Sequence, residues 1–292
     1  MWPCHWAPFS LAIVMAATAG TACRGSTPML TGLLDSRRLA AELHVAFTRA
    51  SEASSRAVMA SSDEASTAAA DEAKKARQDV ERSLAALQPV LESLRYQTDL
   101  GHLSAFNASF DEYRRLDDEI LMLAVENSNI KAQRLAFGPA RQAVEVFKSA
   151  LDAALRTGTK DRCREEALAF RAYGAVLEIE VLQPPHIADA EDVVMTRLEG
   201  QMRAAEGVAR KTLEELKAVT GPAATPHLAM AAAALEGFIA RNREIVALSR
   251  RNSNVRSLAL SLGRKRTVTA QCEDQLQALE QALAEHSFNA TR

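Results

Sequence analysis

The chain has 292 residues, of which 48% are hydrophobic, 25% charged and only 5% aromatic, with 12 Gly, 9 Pro and 4 Cys. This composition excludes a disordered, collagen-like or multi-pass membrane chain, and the scarcity of Gly and aromatic residues disfavours a β-sandwich or a doubly wound sheet. Lys and Arg number 35 against 37 Asp and Glu, a net charge of -2, so no basic surface for tracking nucleic-acid phosphates is expected.

In chain order, the first element is an apolar, small-residue-rich stretch at 9–22 that is too short to span a bilayer comfortably and ends in Gly20-Thr21-Ala22-Cys23. It has the form of a secretory signal peptide over 1–22. Thr21 and Ala22 before Cys23 resemble a bacterial lipobox, in which Cys23 receives the lipid anchor. The match is imperfect, because Gly20 stands where Leu is usual and residues 1–8 carry no Lys or Arg. Lipidation at Cys23, plain secretion and an uncleaved anchor are the three readings, and each places the remainder outside the cytoplasm, in the periplasm or at the cell surface. Cys163 and Cys272 are then the thiols of the folded part, either two independent buried thiols or a pair formed in an oxidising compartment.

After a linker at 23–33 the chain is written in helical period. Eight segments are predicted, at 34–60, 63–96, 101–127 and 129–157, then at 161–182, 188–219, 226–252 and 254–287. Breaks fall at Gly158, Pro184-Pro185 and Gly221-Pro222, and Gly138-Pro139 kinks the fourth segment. The Ala- and Ser-rich stretch 57–73 suits close helix contact or mobility better than a deep pocket.

The two halves repeat at an offset of 125: Glu119-Ile120 with Glu244-Ile245, Asn127-Ser128-Asn129 with Asn252-Ser253-Asn254, Gly138 with Gly263, and His102-Leu103 with His227-Leu228. Apolar positions such as Leu135 and Leu260 move with the polar ones, as duplicated packing requires. The expected fold is therefore all-α, two tandem antiparallel (up-down-up-down) four-helix bundles of long helices, with module 1 at 34–157 and module 2 at 161–287. The alternative is one long bundle whose halves share helices.

Ile120, Leu123, Asn127, Ile130 and Phe137 fall on one heptad-like seam, as do Ile245, Leu248, Asn252, Val255 and Leu262. Asn127 and Asn252 thus face inward, where they either end a helix and fix register or line a pocket for a polar ligand. Asn129 and Asn254 are candidates to cap the following helix. Lys131 and Arg256 take matching places after the Asn pairs, either as solvated cations or facing an anionic ligand.

The string Glu119-Ile120-Leu121-Met122-Leu123, then Asn127-Ser128-Asn129, Ala132 and Gly138-Pro139, resembles the third-to-fourth helix junction of the four-helix-bundle sensory domains of methyl-accepting chemotaxis receptors and related histidine kinases. The second half repeats the likeness from Arg250 to Leu258, and 185–192 is similar to the tip between that family's first two helices. The resemblance implies an extracytoplasmic bundle that binds a small polar solute or a partner protein, with Asn127, Asn129, Lys131, Asn252, Asn254 and Arg256 near the ligand. It also implies that a signal passes to a membrane receptor or kinase. No CxxC, HExxH, phosphate loop or Gly-x-Ser-x-Gly occurs, so neither an enzyme nor a cofactor or metal is expected. A structural, self-associating scaffold of the cell envelope, forming a homodimer or larger assembly, is the competing class.

Overall fold

The computed structural model describes residues 26–157 and 161–286, so the signal peptide at 1–22 and Cys23 lie outside the described residues. Within these bounds every regular element is helical: α1 (Ser26–Met59), α2 (Asp63–Leu94), α3 (Gln97–Glu126), α4 (Ser128–Leu135), α5 (Arg141–Leu155), α6 (Arg162–Ala188), α7 (Asp192–Val219), α8 (Thr225–Arg251), α9 (Ser253–Leu260) and α10 (Arg266–Glu285). A π turn at Ala136–Ala140 joins α4 to α5, and its counterpart at Ser261–Lys265 joins α9 to α10. Both π turns lie 125 residues apart and carry the paired Gly138 and Gly263, so the repeat extends to backbone irregularities.

Two boundaries differ most from expectation. The predicted linker is mostly helix, since α1 begins at Ser26. The break expected at Pro184-Pro185 comes later, because both prolines sit in the last turns of α6. There the missing N–H groups cost few bonds, and the Pro185 carbonyl still accepts from the Asp189 N–H at 3.1 Å. The chain turns instead at 189–191, where the Asp189 Oδ1 accepts from the Glu191 N–H at 2.8 Å.

The compact units do not coincide with modules 34–157 and 161–287. An antiparallel return between helices takes a loop of about 2–5 residues. The α1–α2 and α6–α7 connections, at 60–62 and 189–191, are of that length. Between α3 and α4 only Asn127 is non-helical, and between α8 and α9 only Asn252, so the chain bends there without reversing. Each long rod therefore leaves the bundle in which it started and supplies the fourth helix of the other. One bundle is α1, α2, α3 and α9–α10; the second is α6, α7, α8 and α4–α5. The helices are shared between halves, as in the alternative weighed from the sequence.

The cores follow this exchange. Leu43, Phe47, Leu87, Phe106 and Phe110 pack with Cys272, Leu276 and Leu279 of α10, whereas Phe147 and Ala150 of α5 pack with Val176, Leu213 and Phe238. Polar contacts repeat the pattern: His44 on α1 lies between Glu280 at 3.1 Å and Glu273 at 3.2 Å on α10, and Arg37 donates to the Leu283 carbonyl at 2.9 Å. Burying apolar surface contributes about 25 cal/mol per Å². The rods are therefore held in the exchanged position by core contacts more than by these rim bonds. The stretch 57–73 makes close contact, with Ala57, Ala69, Ala70 and Ala73 buried between α1 and α2. Within Pro222–Glu285 one window reaches a mean hydropathy of 1.2, long and apolar enough to cross a membrane by composition; it belongs to the rod that walls both bundles.

Candidate functional site: an amide crossover between two bundles

Where the rods cross, Asn127 and Asn252 both have φ 52°, a left-handed conformation that Asn tolerates better than other side chains with a Cβ. The bend leaves the first N–H groups of α4 and α9 without intrahelical acceptors. Each rod satisfies the other's. The Ser128 N–H donates to Ser253 Oγ at 2.9 Å and the Ser253 N–H to Ser128 Oγ at 3.0 Å. The Asn129 and Asn254 N–H groups donate to each other's side-chain Oδ1, both at 3.1 Å. The capping expected of Asn129 and Asn254 thus occurs between helices, not on each residue's own helix, because the bend brings the two N-termini face to face across a pseudo-two-fold axis.

The remaining amide groups tie in the hairpin tips. Asn129 Nδ2 donates to Asn252 Oδ1 at 2.8 Å and to the Ile187 carbonyl at 2.7 Å, and Asn254 Nδ2 donates to Asn127 Oδ1 at 2.9 Å. Asn127 Nδ2 reaches Ser66 Oγ on α2 at 2.6 Å, while Asn252 Nδ2 reaches the Asp189 carbonyl at 2.8 Å. The sequence therefore placed Asn127, Asn129, Asn252 and Asn254 together, but their polar atoms are engaged with one another and with Ser66, Ile187 and Asp189. Lys131 is tethered by Nζ to the Glu126 carbonyl at 2.7 Å, and Arg256 is exposed. Glu126 and Arg251, at equivalent places in the two halves, form an ion pair at 3.2 Å across the axis.

The predicted seam holds up to the bend and fails beyond it. Ile120, Asn127 and Ile245 are buried, yet Phe137 is 62% exposed and Leu262 64% exposed. The left-handed residue and the π turn each shift helical phase, so the inward positions after the crossover become Ala132, Ala136, Ala140 and Val144.

Two buried polar clusters flank the crossover, one per bundle, and sequence reasoning identified neither. In the second bundle His186 and Ser249 are fully buried. Ser249 Oγ donates to the His186 carbonyl at 2.7 Å and lies 2.8 Å from its Nδ1, while Nε2 lies 3.0 Å from Glu199 Oε1. The order Ser, His, carboxylate matches a nucleophilic triad, but here the hydroxyl proton is committed to a backbone carbonyl, so the arrangement locks the end of α6 to α7 and α8. Arg250 Nε donates to the same Glu199 oxygen at 2.6 Å. In the first bundle Lys265 Nζ meets Asp117 Oδ1 at 2.6 Å and Ser54 Oγ, with Arg77 at 3.4 Å from Asp117 and the Tyr113 ring centroid 5.0 Å from Nζ. Burial pushes the Lys265 ammonium down, against the opposing pull of Asp117. Asp117 continues the 4–3 spacing Phe106, Phe110, Tyr113, Ile120, so a carboxylate in core register was the signal available in the sequence. Cys163 is exposed and Cys272 buried, both as free thiols, so the two are neither paired nor both buried. Among the described residues no group of three or more His, Cys, Asp or Glu is placed to hold a metal ion.

Glu199 is held below the usual carboxylate range by the Arg250 hydrogen bond, with burial opposing and His186 adding to the effect. A depressed folded pKa stabilises the fold above the unfolded value of about 4.3 and loses that contribution as pH falls through the folded value. Glu199→Gln should flatten the acid limb of a stability–pH curve below about pH 4.5, read by denaturant midpoint. An unchanged limb would show that Glu199 does not carry the effect.

Comparison of the chain with protein-family models and with curated proteins found no match.

Proposed function

We propose that this protein is an extracytoplasmic sensory relay related to the helical input domains of chemotaxis receptors, anchored by lipid at Cys23, which binds a small polar solute and reports to a membrane receptor or kinase. The observation that supports the reading is the reciprocal exchange of rods through the amide crossover: neither bundle can rotate or shear its fourth helix without displacing a rod that is core to the other. Coupling of this kind rests on an element with shared packing, not on distance alone.

The Asn cluster is, in this reading, the coupling element, and the solute enters elsewhere. A cleft of about 250 Å³ between α7 and α8 is lined by Glu199, Met202, Arg203, Glu206, Asn242 and Arg243. Its wall shares Glu199 with the His186 lock, and both signs of charge are present for the carboxylate and ammonium of amino-acid-like solutes.

The test is a thermal-shift screen of the full-length chain against amino acids, organic acids, polyamines and aromatic acids, followed by hydrogen exchange. A binder at about 100 times its dissociation constant adds about 2.7 kcal/mol. The expected result is a saturable shift lost in Arg203→Glu, with added amide protection in α3 and α10 of the far bundle as well as in α7 and α8. Protection confined to α7 and α8 would overturn the relay, and no shift with any class would overturn solute sensing.

A further inference from the structure

We infer that the outer face of α6 is a self-association surface that pairs antiparallel with α6 of a second copy of this chain. Every helix of a bundle turns one face to the core and one to solvent, and the solvent face is ordinarily charged. On α6 it is not. Ala167, Phe170, Gly174, Val181 and Pro184 are exposed and, with Leu177, which is half-buried against its own core, follow an unbroken 4–3 spacing, the seam of a two-helix coiled coil. Phe170 is 77% exposed and Val181 71% exposed. The comparable outer series on α1 is interrupted by Arg38 and Glu52, so the apolar stripe is a property of one half and not of the repeated fold.

Two further observations bear on the occupant. Gly174 lies mid-helix on this stripe, and there, as at Gly101, Gly200, Gly207 and Gly237, a Cβ would meet nothing within 4 Å in this chain. The space above Gly174 leaves room for a side chain of a facing helix. Arg171 and Glu178 flank the stripe on one side. They are seven residues apart, have no opposite charge at the i±3 or i±4 positions of their own helix, and form no ion pair among the described residues. In an antiparallel pair, flanking positions of this kind face their own equivalents. A two-fold axis between Gly174 and Leu177 sets Leu177 of one copy against Gly174 of the other, Phe170 against Val181, and Arg171 within reach of Glu178, each contact occurring twice. The charge complementarity is thus built for a second copy of the same helix.

A single helix pair in contact over about 27 Å is at the small end of specific interfaces, so a dimer in the micromolar range is expected. Sedimentation velocity of the full-length chain from about 1 to 300 μM should show a monomer–dimer equilibrium. Phe170→Glu should raise the dissociation constant at least about tenfold with unchanged helicity by circular dichroism. Arg171→Glu and Glu178→Arg should each weaken the dimer, and the double reversal should restore it, a rescue that general surface polarity would not produce. A monomer throughout the range, which would mean that another segment or a foreign partner covers the stripe, would overturn the inference. So would a dimer insensitive to Phe170→Glu, or charge reversals without mutual rescue.

Discussion

Asn129→Leu should destabilise the protein by about 3–5 kcal/mol, one of the two largest single-site effects expected in this chain. The side chain accepts from the Asn254 N–H and donates to both Asn252 Oδ1 and the Ile187 carbonyl, and the site is buried. Leucine supplies none of these bonds, and each stranded buried group costs about 1–3 kcal/mol, partly relieved by relaxation. Because the bond to Asn252 joins the two rods and the bond to Ile187 holds a hairpin tip, the loss is structural at a distance. Guanidinium unfolding of the parent chain should be a single transition, since the bundles share their rods. The Asn129→Leu and Asn254→Leu pair should cost less than the sum of the single changes, because the first already opens the crossover that the second depends on. Strict additivity would mean that the reciprocal caps act as separate bonds and not as one coupling unit.

The crossover shows how far the sequence could be read. The offset of 125, the Asn-Ser-Asn pairs and the Gly138 and Gly263 kinks are all properties of residue identity and spacing, and each has its structural counterpart in the paired bends and paired π turns. The exchange of rods depends on something finer: whether one or three residues separate two helices. Helix ends read from sequence are uncertain by about 2–4 residues, so a bend at Asn127 and a hairpin there look alike. Phase was lost for a related reason. A periodicity count assumes 3.6 residues per turn throughout, whereas the left-handed Asn127 and the π turn that follows rotate the helix, which is why Phe137 turns outward and Ala136 inward. The buried clusters were hidden by separation: His186 meets Ser249 and Glu199 from two other helices, and no local spacing connects them. Lys265 is the last residue of its π turn, at a position whose inward orientation no regular helix would assign.

Lys265 carries the other large effect. Lys265→Met should cost about 3–5 kcal/mol, because it leaves the Asp117 carboxylate buried with only Ser54 at 2.5 Å and Arg77 at 3.4 Å. The second bundle already contains the neutral version of this site. At the positions 125 residues away, Asn242 replaces Asp117 and Ala140 replaces Lys265, and Asn242 Oδ1 accepts a hydrogen bond from Gln183 Nε2 at 2.9 Å. The double change Asp117→Asn with Lys265→Ala should therefore recover most of the loss, to within about 1–2 kcal/mol of the parent, since a buried ion pair often contributes little over a neutral packing of similar shape. Paired denaturation curves on the single and double variants decide the matter. Recovery would show that the charge serves the register of α10 against α1 and α3, where a Lys that must find its one Asp excludes a slipped rod. A double variant as weak as Lys265→Met would instead mean that the ion pair itself holds the first bundle together, and that the two halves have diverged in how they are stabilised.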